Sequence, residues 1–292
     1  MSLSRLFDEV RRARKAHEWL LPMLLDELST SREVEAPKHD SWFSVSRVPL
    51  ACPRAMVMIS RLGLPMSDIR TPHSRWTADR GTAMHIVLRD LWLGPMGWLR
   101  GGWACPHCSY LHGGENQDRW SIKLSNSVTL PKKCERCDKP WRREEPFTFI
   151  EPFSVHPDPL LVRGRNDGFL MLPACGVEVW DLKSTTRLDL VREKPKPDHV
   201  EQLQWYLDYE KLRSGRIVYV DPGAKRLEDA MVEHRVSFDA ELMHRQKEKV
   251  RGIREALRDP EKAVPRCPTR GEGPYGKCDC VEVEDVWARS GH

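Results

Sequence analysis

Two short cysteine pairs, Cys105-Pro-His-Cys108 and Cys134-Glu-Arg-Cys137, stand 25 residues apart in the chain. Each CxxC turn aims two thiols at one point, and two such turns suit a single tetrahedral ion held by four thiolates. Any fold must bring these turns together, so residues 99–145 read as a small inserted zinc-ribbon module with four cysteine ligands. Nine cysteines in 292 residues, with no segment composed like a secretory signal peptide, favour metal sites over disulfides, because an intracellular compartment keeps thiols reduced. Around the knuckles lie Trp103, Tyr110, Trp120 and Trp141 with Lys123, Lys132, Lys133, Arg136, Lys139, Arg142 and Arg143. A module with little core needs its ion to fold. Its aromatic and basic side chains have the chemistry to stack on bases and pair with phosphates, although a plain solvated surface explains the charges equally well.

Downstream, Val177 to Thr185 is rich in β-branched and apolar residues and reads as a strand, on which Asp181 and Lys183 point to one face. Asp167 lies 14 residues before Asp181. Between them Pro173-Ala-Cys-Gly176 forms a turn separating two apolar runs, so a hairpin sets Asp167 opposite Asp181 or Leu182; Cys175 reads as an ordinary turn residue. Neighbouring strands lie roughly 5 Å apart, so two carboxylates at one level can share a divalent cation, with a lysine beside them for a phosphate or an attacking water. Alone, an Asp-x-Lys is as easily alternating charge on the wet face of a strand.

The flanks add to it. Asp198 to Arg213 reads as a helix with Gln202 and Tyr206 one turn apart on one face. Arg75 to Leu93 reads as another, carrying Gly81-Thr-Ala-Met-His85 and an apolar stripe of Val87, Leu88, Leu91 and Trp92. His85 is open to two readings, a buried core histidine or a metal ligand. Glu151, in an expected strand from Phe147 to Ser154, reaches the site only if its face matches; the ordinary reading is a solvent-facing glutamate on an edge strand, and it stays outside the candidate set.

With these pieces in order, the chain from Cys52 to Cys280 resembles the PD-(D/E)XK nuclease superfamily, in particular the RecB-like exonucleases and the CRISPR-adaptation nucleases related to them. The resemblance implies an α/β fold, a restriction-endonuclease-like core with a central mixed sheet flanked by helices, here with the zinc ribbon inserted. It implies Mg²⁺ or Mn²⁺ held by His85, Asp167, Asp181 and the Leu182 carbonyl. Lys183 assists the water and the developing charge, and Gln202 and Tyr206 steady the helix and the DNA strand. Cys52 with Cys267, Cys278 and Cys280 resembles the 4Fe-4S staple that ties both ends of such nucleases together; the Cys-x10-Cys-x-Cys spacing departs from the family's tighter pattern, and a second zinc is the alternative.

The activity implied is a metal-dependent DNA nuclease, most naturally an exonuclease of recombination, repair or replication. The competing expectation is a non-catalytic DNA-binding or assembly protein on a nuclease-like scaffold, which would be expected to have lost one of Asp167, Asp181 or Lys183. DNA is the expected partner, with room for a recombinase, helicase or single-strand-binding partner and for an oligomer.

Composition agrees with this reading: 40% hydrophobic and 31% charged residues allow a substantial core, and a net charge of +4 with pI near 8.6 permits nucleic-acid binding without requiring it. No stretch approaches the roughly 20 apolar residues of a membrane span, and a cytoplasmic location is expected. Ser4 to Leu28 reads as an amphipathic packing or oligomer helix. The expected organisation is an N-terminal helix and linker (1–42), a nuclease core (43–98 and 146–292) and the zinc ribbon (99–145).

Overall fold

The computed structural model describes residues 30–34, 38, 40–49, 51–64, 66–70, 72–173, 176–268, 272–273 and 276–289. The helix expected over Ser4 to Leu28, and Cys175, lie outside them. In chain order the elements are β1 (Thr30–Val34), β2 (Phe43–Ser44), α1 (Pro53–Arg61), β3 (Met66–Arg70) and α2 (Pro72–Ile86), which runs on as a π-helical segment, Val87–Leu93. There follow β4 (Leu99–Ala104), β5 (Leu111–His112), β6 (Val128–Thr129), β7 (Thr148–Ile150), β8 (Phe153–His156), β9 (Val162–Arg165), β10 (Phe169–Leu172) and β11 (Gly176–Ser184). The last group is α3 (Pro197–Glu210), β12 (Ser214–Val220), β13 (Met231–Ser237), α4 (Ala240–Arg258), β14 (Glu272–Gly273), β15 (Gly276–Lys277) and α5 (Asp279–Arg289).

The fold is mixed α/β. Its main sheet has the order β13-β12-β11-β10-β4-β5, with β6 and β7 also pairing β4. The β11–β12 pair is parallel and the other pairs are antiparallel. A parallel pair cannot be closed by a tight turn, and α3 supplies the crossover. Alternation along the strands then divides two cores. Val179, Ile217 and Tyr219 face Leu203, Trp205 and Leu207 of α3 and Met243, Val250 and Ile253 of α4. Trp180, Leu182, Val218 and Val220 belong to the other core with Leu88, Leu99, Trp103 and Phe149. Apolar cover on both sides explains why β11 is buried from Val179 to Leu182 and reads as a near-continuous apolar run.

A smaller sheet, β2-β9-β8, lies beside the main one, and β1 pairs β3. Near the C-terminus α5 packs on α1, where Arg54 meets Glu284 at 2.9 Å. Two local differences from expectation matter for the site. The strand expected over Phe147 to Ser154 is broken at Glu151-Pro152, because proline has no N–H for a ladder. Of the expected apolar stripe of Val87, Leu88, Leu91 and Trp92, only Leu88 is fully buried: the wider π turn buries Arg89 and Asp90 beside it and leaves Trp92 exposed. Strand β4 begins in the main sheet, pairing β10 through Leu99 and Arg100, and ends in the cysteine module, so the module is continuous with the core sheet at that point.

Candidate active site and cysteine centres

Gly81 lets α2 approach the end of β11: a Cβ there would stand 2.8 Å from Ser184 Oγ. One turn later His85 reaches across, its Nδ1 3.0 Å from Asp167 Oδ1. Asp167 is fixed by the hairpin. With Phe169 opposite Val179, extension of the register by two residues sets Asp167 opposite Asp181, and the Leu182 N–H donates to Asp167 Oδ2 at 2.6 Å. Trp180 Nε1 donates to the Asp167 carbonyl at 2.8 Å. Gly168 takes φ +127°, and a Cβ there would stand 2.6 Å from Leu99 Cδ1, so the turn after Asp167 accepts only glycine.

Glu151 joins this pair. The break at Pro152 turns its carboxylate inward, where Arg89 of the π segment holds it at 2.5 Å; the same guanidinium lies 4.0 Å from Asp167. His85, Glu151 and Asp167 each offer a ligand atom, all within 4.8 Å of one another. The set expected from sequence is His85, Asp167, Asp181 and the Leu182 carbonyl. The first two meet, the Leu182 contact with Asp167 is made by its N–H, and the Asp181 carboxylate is engaged 2.8 Å from Lys183 Nζ.

Lys183 also donates to Gln202 Oε1 at 2.9 Å. Gln202 Nε2 donates to Tyr206 Oη at 3.2 Å, and that hydroxyl donates to the Arg165 carbonyl at 2.6 Å. All six sequence candidates therefore belong to one connected neighbourhood. It opens on a cleft of about 420 Å³ lined by Ala78, Gly81, Thr82, His85, Arg89, Glu151, Leu182, Lys183, Ser184, Lys196 and His199.

Burial and charge separate the titrating groups. Burial, reinforced by Asp167, pushes Asp181 up to about 6 although Lys183 pulls the other way. Asp167 is equally buried, but the His85 hydrogen bond, the His85 and Lys183 charges and the Leu182 N–H hold its carboxyl below the usual range. Burial opposes the charge on Lys183, yet Asp181 and Asp167 outweigh it and keep the ammonium above its ordinary value. His199 is driven down to about 4 by burial and the Lys183 charge, leaving a neutral imidazole at the cleft wall.

The cysteine sets converge as well. Cys105, Cys108, Cys134 and Cys137 place their sulfurs within 4.8 Å of one another, with Cys105 to Cys137 at 3.7 Å and Cys108 to Cys134 at 3.6 Å. These are free thiols, and the separations match the roughly 3.8 Å edge of a tetrahedron with 2.3 Å metal–sulfur bonds. Burial raises the Cys134 thiol, but N–H groups of Cys137 and Arg136 and the His112 ring overcome it and draw the thiol down to about 6. Cys52, Cys267, Cys278 and Cys280 likewise gather within 4.8 Å, walled by Ala55, Ile59 and Val281. Both sets could hold a metal.

No protein-family model matches the chain, and no curated protein matches it in sequence. Among solved structures, an alkaline exonuclease (LHK-Exo) from Laribacter hongkongensis is 12% identical, with 86% of this chain and 93% of that chain covered and a TM-score of 0.43. The same enzyme in complex with dAMP is 13% identical with the same coverage and a TM-score of 0.42. SSO0001 is 15% identical, covering 86% and 89%, with a TM-score of 0.36. Identities this low, with TM-scores below 0.5, leave the functional reading to the geometry of the site.

Arg89 is the residue that sequence reasoning missed, and Glu151 is the one it left outside the candidate set. The signal for Glu151 was the proline after it, which takes one N–H out of the ladder and marks a break or bulge. No helix among the described residues is long and apolar enough to cross a membrane.

Proposed function

We propose that this chain is a Mg²⁺- or Mn²⁺-dependent DNA nuclease of the PD-(D/E)XK type. The observation that carries the reading is a lysine held between Asp181 and Gln202, opening on the same cleft as the His85, Glu151 and Asp167 ligand group. Two carboxylates and an imidazole, gathered beside a cleft and partly exposed except for Asp167, fit a hard divalent ion. When bound, that ion supplies a Lewis acid for the scissile phosphate and a water of lowered pKa.

The protein's own groups do the rest. Lys183 keeps its proton, so it acts as a fixed positive charge beside the phosphate and stabilises the negative charge that grows as the bond to the leaving oxygen breaks. Gln202 restrains the lysine from one side and Asp181 from the other, which removes the side-chain freedom an exposed lysine would have to lose on reaching the phosphate. Arg89 orients Glu151 and offsets the negative charge of Glu151 and Asp167. Lys196 at the cleft wall adds a contact for the DNA backbone.

An exonuclease in DNA recombination, repair or replication is the form we favour, with the core formed by residues 43–98 and 146–292 and the cysteine module by 99–145. The first thiol set takes Zn²⁺. For Cys52, Cys267, Cys278 and Cys280 the resemblance implies a 4Fe-4S cluster, whereas sulfurs within 4.8 Å of one another, with 3.7 Å between Cys267 and Cys278, fit a single tetrahedral ion. An anaerobic preparation that is brown, absorbing near ~400 nm, supports the cluster, and a colourless zinc-loaded one replaces it.

The activity test is digestion of end-labelled linear and circular DNA with Mg²⁺ or Mn²⁺. Lys183→Ala and Asp181→Ala should each abolish cleavage with the fold retained by circular dichroism. Normal degradation by either variant overturns the proposal, and resistance of circles assigns end dependence.

A further inference from the structure

The outward face of the β8–β9 ladder carries side chains that neither packing nor the cleft uses. Its register pairs Phe153 with Arg165 and Val155 with Arg163. Alternation sends these four outward, while Ser154, His156 and Val162 are buried beneath. Each arginine lies on an indole: Arg163 is 5.5 Å from the Trp42 ring centre and Arg165 is 4.4 Å from that of Trp120. Trp120 also meets Phe153 edge-on at 5.1 Å.

These are not core tryptophans. Trp42 is 38% and Trp120 48% exposed, against 0–1% for Trp103, Trp180 and Trp205. Among the described residues no carboxylate lies within ion-pair reach of Arg163 or Arg165, whereas most arginines around the main sheet, such as Arg89 and Arg216, are paired. A wet sheet face is ordinarily polar; this one shows half-exposed rings with two guanidinium groups that no carboxylate among the described residues neutralises.

We infer that this face is a track for single-stranded DNA, Trp42 and Trp120 stacking on bases while Arg163 and Arg165 bind phosphates, and that it feeds the strand to the cleft. The inference rests on the nuclease reading for the identity of the nucleic acid. Bases present open faces to an indole only when they are unstacked from a duplex. Alternate strand residues are about 6.6 Å apart, a spacing that lets the two arginines meet successive phosphates of one strand. Continuity with the cleft is covalent: Arg165 is followed by Asn166 and Asp167, and its carbonyl accepts the Tyr206 hydroxyl at the end of the chain from Lys183.

The test is fluorescence anisotropy of a labelled oligo(dT) and of a blunt hairpin duplex, with the 292-residue chain in buffer lacking Mg²⁺ and Mn²⁺. Trp42→Ala and Trp120→Ala should each weaken oligo(dT) binding about tenfold, within the range for loss of one base stack, with duplex binding changed less than about twofold. Trp120→Phe, which keeps a ring over Arg165, should retain most of the affinity and controls for loss of folding. Arg163→Gln and Arg165→Gln should each reduce the slope of log affinity against log salt by about 0.7. Wild-type oligo(dT) affinity in both alanine variants, or equal losses for oligo(dT) and duplex, overturns the track. Stack-dependent binding by a protein that fails to cleave DNA supports the track and removes the nuclease reading alone.

Discussion

Glu210→Gln should abolish a pH dependence of stability that the wild-type chain carries between about pH 4.5 and 7. Glu210 ends α3 and reaches the cysteine module, where its Oε2 accepts the Leu124 N–H at 3.1 Å while Oε1 is buried without a partner. Burial pushes the carboxyl up to about 7 from 4.5, despite the Leu124 N–H and the Lys123 charge. An acid whose folded value lies above its unfolded one binds its proton more tightly when folded. Its contribution is therefore fully present below the unfolded value, declines as pH rises, and is gone above about 7. The shift corresponds to about 3 kcal/mol, and solvent contact over part of the group discounts this to about 2 kcal/mol.

For a chain of 292 residues, an unfolding entropy near 2.1 cal/mol/K per residue converts about 2 kcal/mol to about 3 °C in Tm. The variant retains an acceptor for Leu124 but leaves an amide N–H₂ near the unpartnered position, a cost of about 1 kcal/mol that does not vary with pH. Scanning calorimetry of both proteins from pH 5 to 8 separates the two effects. The wild-type Tm should fall by about 3 °C relative to the variant across that range. Parallel curves would refute the reasoning, however large the constant offset between them.

Three other perturbations probe different layers. Glu151→Gln should reduce cleavage at least tenfold and raise the Mn²⁺ concentration needed for half-maximal rate, because it removes a charged ligand from the His85 and Asp167 group; an unchanged metal titration would return Glu151 to the role of a surface acid. Glu178, a carboxylate with no exposed side-chain area, binds Ser214, Arg216 and Arg235 at 2.7, 2.5 and 2.6 Å; Glu178→Ala removes this acceptor but leaves Arg216 its pair with Glu233 and Arg235 in contact with solvent, and should cost about 1–3 kcal/mol by chemical denaturation. Cys134→Ser should lower the bound zinc by one equivalent and expose the 99–145 segment to limited proteolysis, and a variant that keeps full zinc and protease resistance would show that the four thiols are not a metal site.

The hairpin around Asp167 and Asp181 was legible because period-two alternation and a turn with proline and glycine fix register, and a one-residue slip would have turned Asp181 out of the site. The thiol sets were legible because four ligands of one kind have few other uses. Glu151 was not, because its direction depends on a strand broken by Pro152, and a pattern of alternating exposure carries no information across such a break. Arg89 was hidden by the π turn: a 3.6-residue period assigns the buried side of that helix to Leu91 and Trp92, while the wider turn buries Arg89 and Asp90 in their place.

The thiols near the two ends have a mechanical consequence. Cys52 precedes α1, and Cys267, Cys278 and Cys280 surround the start of α5, so a metal or cluster there closes into a ring all the strands of the main sheet. Pulling on the chain from outside residues 52 and 280 then loads sulfur–metal bonds before it loads β11 or β12. The parallel β11–β12 ladder, which carries Asp181 and Lys183, is thus shielded from shear for as long as the ring is closed, and loss of the metal would transfer the load to the strands that hold the site.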